Sequence, residues 1–289
     1  MIRLAVISGK GGTGKTMVTA GLAEIIRQDL ALADCDVEAS NLELLHPGEL
    51  LSKEDFYGLD LSVIDQGKCI QCGECLDNCR FGAVEVKDGI YSVRALHCEG
   101  CGVCEYVCPA DAASMEPRLS GEIYCSSTER GPLAHARLSP GSGNSGLLVN
   151  EVKKRAARWN NISDILLIDG PPGIGCPLIS TVSGVDAVLA VTEPSSSGLS
   201  DLSRVVEVCK SFRLKIFVAV NRYDLEESVF HRIEDFCSSE GLTLVGRIPF
   251  DRAVVDAIRK NLPITQVECP AAEAVRELWL NLSGELDLK

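Results

Sequence analysis

Eight of the fourteen cysteines stand in two runs of one spacing, and the second run repeats the first 29 positions later. Cys69, Cys72, Cys75 and Cys79 recur as Cys98, Cys101, Cys104 and Cys108. The flanks repeat too, since Phe81-Gly82-Ala83-Val84 aligns with Ala110-Asp111-Ala112-Ala113. Helical periodicity fades across 60–117, where Cys and Gly become dense. The other six cysteines (Cys35, Cys125, Cys176, Cys209, Cys237 and Cys269) are scattered singly. Disulfide frameworks belong to small secreted domains, and this chain of 289 residues opens on a strand rather than an export signal. The partition points to metal.

The sequence on either side of the repeat alternates between strand and helix signals. Apolar runs without polar alternation, at 4–7, 165–168, 187–191, 216–220 and 244–248, suit strands buried on both faces of a parallel sheet. Amphipathic stretches of helical period lie between them, at 17–28, 147–159 and 199–212. This pattern predicts an α/β fold, a doubly wound and mostly parallel sheet interrupted by a small α+β insertion. The expected division is 1–59 for the first part of the α/β domain, 60–117 for the insertion and 118–289 for the second part.

Formal net charge is −13, and metal-bound thiolates would make the protein more acidic still. That argues against a general nucleic-acid surface, and Lys153-Lys154-Arg155 reads as the solvated face of a helix. No apolar run reaches the length needed to cross a bilayer, and the acidic end of the chain is a poor membrane anchor. The expectation is a cytoplasmic protein that binds neither nucleic acid nor membrane.

Gly9-Lys10-Gly11-Gly12-Thr13-Gly14-Lys15-Thr16 follows the first apolar run and opens a helical stretch, the context a phosphate-binding loop requires. Glycines let the backbone wrap close to phosphate so that successive N–H groups point inward. The helix N-terminus adds its dipole, Lys15 is expected to reach the outer phosphates, and the Thr16 hydroxyl to take Mg²⁺.

The segment from Lys10 to Thr16, with its early second lysine, resembles the deviant phosphate loop of the MinD/ParA/Mrp ATPases and the nitrogenase iron protein. The resemblance implies ATP and ADP as ligands and an ATP-dependent homodimer in which Lys10 reaches the partner's nucleotide. Lys10, Lys15 and Asp36 are then the catalytic group. Asp34-Cys35-Asp36 looks like the family's first switch, with Asp36 positioning water. Asp169, before Gly170-Pro171-Pro172-Gly173, looks like the carboxylate that holds Mg²⁺ through water. Asn221 resembles the family's base-reading asparagine, its amide offering both donor and acceptor. Pro249 and Asp251 look like the turn that lines the base.

Cys98 to Pro109 matches the bacterial ferredoxin run Cys-x2-Cys-x2-Cys-x3-Cys-Pro in full. The first run matches in every cysteine but carries Arg80 where proline is usual, and that cation is expected to raise the potential of a nearby cluster. In such runs the fourth cysteine ligates the other cluster. The resemblance therefore assigns Cys69, Cys72, Cys75 and Cys108 to one 4Fe–4S cluster, and Cys98, Cys101, Cys104 and Cys79 to a second. Zinc competes, since paired Cys-x2-Cys units bind it, but this pattern repeats triplets with a lagging fourth. The combination implies an ATPase whose nucleotide state gates electron transfer to a redox or cofactor-maturation protein. The alternative is a cluster carrier of Mrp type, although no Cys-x2-Cys pair follows Cys108. Cargo positioning of MinD or ParA type is disfavoured by the acidity.

Overall fold

The five apolar runs fold as strands of one sheet. In the computed structural model, which describes residues 1–288, β1 (Ile2–Ser8) leads through the glycine loop into α1 (Lys15–Ile25). β2 (Leu30–Asp34), α2 (Leu42–Leu45) and β3 (Gly48–Tyr57) follow. The cysteine-rich segment gives β4 (Leu61–Ile64), α3 (Glu74–Asp77), β5 (Val84–Lys87), β6 (Ile90–Val93), α4 (Val103–Tyr106) and β7 (Ala113–Glu116). Next come β8 (Leu119–Thr128), β9 (Gly131–Leu138), α5 (Ser145–Ala156), β10 (Ile165–Pro172) and α6 (Cys176–Val182). The chain continues through β11 (Ala187–Thr192), α7 (Ser196–Ser211), β12 (Lys215–Asn221) and α8 (Glu227–Glu240). It ends with β13 (Thr243–Ile248), α9 (Arg252–Arg259) and α10 (Pro270–Glu285).

Nine strands form the main sheet in the order β13-β12-β11-β1-β10-β2-β9-β8-β3. All pairings from β13 to β9 are parallel, and β8 and β3 extend the sheet antiparallel. The lack of alternation in β1 has a direct cause: Ala5 and Ile7 face one core while Leu4 and Val6 face the other. Helices α5, α6, α7 and α8 close the first core, and α1 and α10 close the second. The chain leaves β1 for β2 and later fills the gap with β10, so strand order reverses beside β1. Ligands of open α/β sheets bind outside the carboxyl ends of the strands at such a point, and the glycine loop lies there.

The cysteine-rich segment makes two separate antiparallel pairs, β4 with β7 and β5 with β6. Its two halves repeat in backbone as well as sequence. Left-handed φ recurs at Gln71 and Gly100, at Gly73 and Gly102, and at Gly82 and Asp111. Each half gives its first strand to one pair and its last strand to the other, so the repeat is interlocked.

Candidate functional site

Strand register brings the carboxylates together. Asp169 on β10 stands opposite Asp34 on β2 and Val6 on β1, one level below the loop. Lys15, 6% exposed, places Nζ 3.0 Å from Asp169 Oδ1 and 4.0 Å from Asp36 Oδ2. The hydroxyls of Thr16 and Thr19 donate to the two Asp169 oxygens at 2.6 and 2.8 Å. Burial alone would lower the Lys15 pKa, but Asp169, Asp36 and Asp34 outweigh it and hold the amine charged. Burial pushes the Asp34 carboxyl up to about 7, and the facing Asp169 adds to the push. Asp34 is structural: its oxygens accept from the Asp36, Asn41 and Leu42 amides and the Ser40 hydroxyl, which shapes the loop after β2. Burial also raises Asp36, with Lys15 opposing it.

A solvent-open cleft of about 1450 Å³ runs over these groups. Gly11, Gly12, Thr13, Gly14, Lys15, Thr16, Asp36, Asn221, Pro249 and Asp251 line it. Added Cβ atoms at Gly11 and Gly12 would meet nothing within 4 Å and would stand in the cradle itself. Gly12 and Gly14 hold φ of 80° and 90°, a region that favours glycine. The buried Thr13 hydroxyl has no partner, and Lys15 and Thr16 are held by Asp169, with Asp36 4.0 Å from the Lys15 amine. An anion entering the loop would satisfy these groups, and Thr16, Asp169 and Asp36 offer hard oxygens suited to Mg²⁺.

Other expected residues sit differently. Gly9 is outside the cleft and packs on α7, where an added Cβ would come 2.6 Å from Asp201 Cβ. Lys10 is also outside it, with Nζ 2.7 Å from Glu193 Oε1, 2.8 Å from Ser197 Oγ and 3.2 Å from Ser195 Oγ. Asn221 lines the cleft, but its amide donates to the Thr13 carbonyl at 2.8 Å and so braces the loop. Asp251 caps α9 by accepting from the Ala253 amide at 2.9 Å, and that bond holds its carboxyl below the usual range.

Sequence reasoning missed Arg222, whose Nη2 donates to the Gly12 carbonyl at 2.6 Å while Nη1 stands 3.2 Å from Glu193 Oε2. It also missed the apolar wall of Val254, Val255 and Ile258 on α9. The half-exposed Val255 and Ile258 on a short amphipathic helix are the signal that could have shown it.

The repeated cysteines surround two pits. One, of about 340 Å³, is lined by Cys69, Cys72, Cys75 and Cys108. The other, of about 350 Å³, is lined by Cys79, Cys98, Cys101 and Cys104. Each lagging cysteine thus sits with the triplet of the other half. Among the described residues no three Cys, His, Asp or Glu side chains converge on a single-ion position. The Ala83 amide donates to Cys79 Sγ at 3.3 Å and the Ala112 amide to Cys108 Sγ at 3.2 Å. Burial opposes ionisation at both sulfurs, but surrounding backbone N–H groups outweigh it and hold both thiols below their ordinary value. Rings of four cysteine sulfurs about a pit, with an N–H donor on the lagging sulfur of each, fit a polynuclear cluster.

Two single cysteines follow the carboxylate strands in sequence, Cys35 after Asp34 and Cys176 after the loop beyond Asp169, and they differ sharply. Cys35 is fully buried, and burial pushes its thiol up; Cys176 is exposed at the start of α6. Iodoacetamide is expected to label Cys176 in the native protein and to leave Cys35 and Cys209 untouched until unfolding, as peptide mass spectrometry would show.

The comparisons with known proteins agree with the loop and the sheet. A family model described as the CobQ/CobB/MinD/ParA nucleotide binding domain matches residues 4–264. An uncharacterised protein of Methanocaldococcus jannaschii is 31% identical, over 98% of this chain and 96% of its own length. An iron-sulfur cluster carrier protein of Pyrococcus horikoshii is 24% identical over 98% of this chain and 86% of its own. In fold, the chain is similar to the septum site-determining protein MinD of Pyrococcus horikoshii, solved with Mg-ADP. That likeness has a TM-score of 0.60 and 19% identity, and covers 99% of this chain and 97% of that one. No helix among the described residues is long and apolar enough to cross a membrane. With its phosphate loop at the reversal of strand order and nearly the whole chain aligned to that model, the protein belongs to the CobQ/CobB/MinD/ParA nucleotide-binding family.

Proposed function

We propose that this chain binds and hydrolyses Mg-ATP in the cleft, and that nucleotide state gates electron transfer through two 4Fe–4S clusters held by residues 60–117. The observation that carries the reading is the pairing, on one chain, of a phosphate cradle with two four-cysteine pits. Lys15 leaves Asp169 for the phosphates, and Thr16 and Asp169 hold Mg²⁺. Asp36 orients the attacking water, and the bond from the terminal phosphorus to the ADP oxygen breaks. Asn221, Pro249 and Asp251 form the wall for the base. When bound, the clusters supply one-electron storage. The backbone amides of Ala83 and Ala112 support the sulfurs of the two crossing ligands, Cys79 and Cys108.

Lys10 acts across an ATP-dependent homodimer, and its ion pair with Glu193 is the resting state that this step breaks. Lys10→Ala is expected to keep nucleotide affinity within a few-fold. It should lose ATP-dependent dimerisation and lower hydrolysis by roughly 10³-fold, the scale of a charge supplied in trans. Light scattering and phosphate release check both.

The carrier protein among the relatives favours a second reading, in which clusters are passed on rather than electrons. One experiment separates the two. The reduced holo-protein is mixed with a one-electron acceptor protein under ATP or ADP, and iron is then counted in each partner. The proposal expects ATP to change the transfer rate while iron stays in the chain. An unchanged rate, or iron leaving with the acceptor, rejects it.

A further inference from the structure

The two pits differ at one sulfur. Ser62 on β4 is 3% exposed, and its Oγ stands 3.0 Å from Cys104 Sγ. An iron-bound Cys104 has no proton to give, so there the Ser62 hydroxyl becomes the donor to sulfur. The matching position in the other half is Tyr91, whose hydroxyl lies against Gly73, where an added Cβ would meet it at 3.6 Å. Among the described residues no side-chain hydroxyl bonds to Cys69, Cys72, Cys75 or Cys108. The backbone donors to the two lagging sulfurs, by contrast, match: Ala83 to Cys79 and Ala112 to Cys108.

At one equivalent position charge divides the halves in the same sense, although Arg94 Nε also stands 3.9 Å from Glu85 and Glu99 lines the same pit. Asp65 and Arg94 are equivalent: each follows the first strand of its half and donates its amide to the turn after a lagging cysteine, to Ala112 O and Ala83 O. Arg94 then reaches on with its guanidinium to the Gly82 carbonyl, beside Cys79. The Asp65 carboxylate instead accepts from the Gly67 amide, beside Cys69. Reduction adds one negative charge to a cluster. A hydroxyl donor and a cation favour it, and a carboxylate opposes it.

We infer that Ser62, assisted by Arg94, makes the Cys79, Cys98, Cys101 and Cys104 site the higher in potential of the two. One electron delivered by a reducing protein to the other site then passes to this one, with no bond made or broken and no proton required. This site abuts the nucleotide-binding body. Arg118 bridges from the Ala95 carbonyl at 2.9 Å to the Gly141 carbonyl at 3.2 Å, and an added Cβ on Gly100 would stand 2.8 Å from Leu59 Cβ. The downhill direction is therefore toward the ATP domain. The inference rests on the cysteines holding 4Fe–4S clusters, so iron is counted separately.

The test is an anaerobic redox titration of the full-length holo-protein, followed by EPR. Wild type should show two transitions, and Cys101→Ser should abolish the higher one. Ser62→Ala should move only that transition, downward, at unchanged iron content, and Ser62→Thr should restore it. Arg94→Gln, at an exposed position, should move the same transition in the same direction and serves if Ser62→Ala fails to fold. Unmoved potentials, or a shift confined to the lower transition, overturn the assignment. Wild type with far fewer than about eight irons per chain rejects the cluster reading itself.

Discussion

Lys15→Ala is expected to lower ATP hydrolysis by roughly 10²- to 10³-fold, the scale for removing a preorganised charge from a reacting oxyanion. It is also expected to lower the stability of the nucleotide-free protein, because Lys15 has two roles. In the proposed mechanism it meets the phosphates when nucleotide is bound. Without nucleotide it is the cation facing Asp169 at 3.0 Å and Asp36 at 4.0 Å, above the buried Asp34. Removing one partner from a buried ion pair costs about 3–5 kcal/mol. For a chain of this size that corresponds to roughly 10 °C in Tm. Phosphate release and calorimetry read the two effects separately. A variant that lost hydrolysis at full stability would mean that Asp169 is balanced by something other than Lys15.

The second large effect concerns the crossed cysteines. Cys75→Ser with Cys108→Ser removes two residues of one pit, although they stand in different sequence runs. That double variant should retain about four of about eight irons. Cys75→Ser with Cys79→Ser removes two residues of a single sequence run but one from each pit, and should retain close to none. Iron and sulfide analysis of anaerobically purified protein distinguishes them. Equal iron in both variants would contradict the crossed assignment.

The strands nearest the site were the most legible. β1, β10, β11 and β12 are buried on both faces, so their apolar runs are unbroken. β3, β8 and β9 carry no unbroken apolar run: His135 stands between Ala134 and Ala136 in β9, and Ser120, Glu122 and Ser126 interrupt β8. β3 reads Gly-Glu-Leu-Leu-Ser-Lys-Glu-Asp-Phe-Tyr, is mostly exposed, and pairs on one side only. The phosphate loop was legible because its chemistry is local: eight consecutive residues between a strand and a helix. Contacts made at long range were not. Asn221 looks like a base reader in sequence, but the carboxyl end of β12 lies beside the loop, so its amide meets Thr13 across 208 residues. The Glu193 pairing of Lys10 and the Ser62 bond to Cys104 depend on the same kind of distant approach. No spacing rule encodes it.

The two sites have a physical connection. Gly146 at the start of α5 packs against Cys176 on α6, just past the loop after Asp169. The same helix is preceded by the segment that Arg118 ties to Ala95, three residues before Cys98. The proposed gating would therefore have a short packed route from that loop to one cysteine ring. The most direct measurement is an EPR-monitored redox titration of the holo-protein with and without saturating Mg-ATP, with Lys15→Ala as control. The account predicts that Mg-ATP shifts the higher-potential transition in wild type and leaves it unmoved in Lys15→Ala. Superimposable titrations of wild type in both conditions would contradict it.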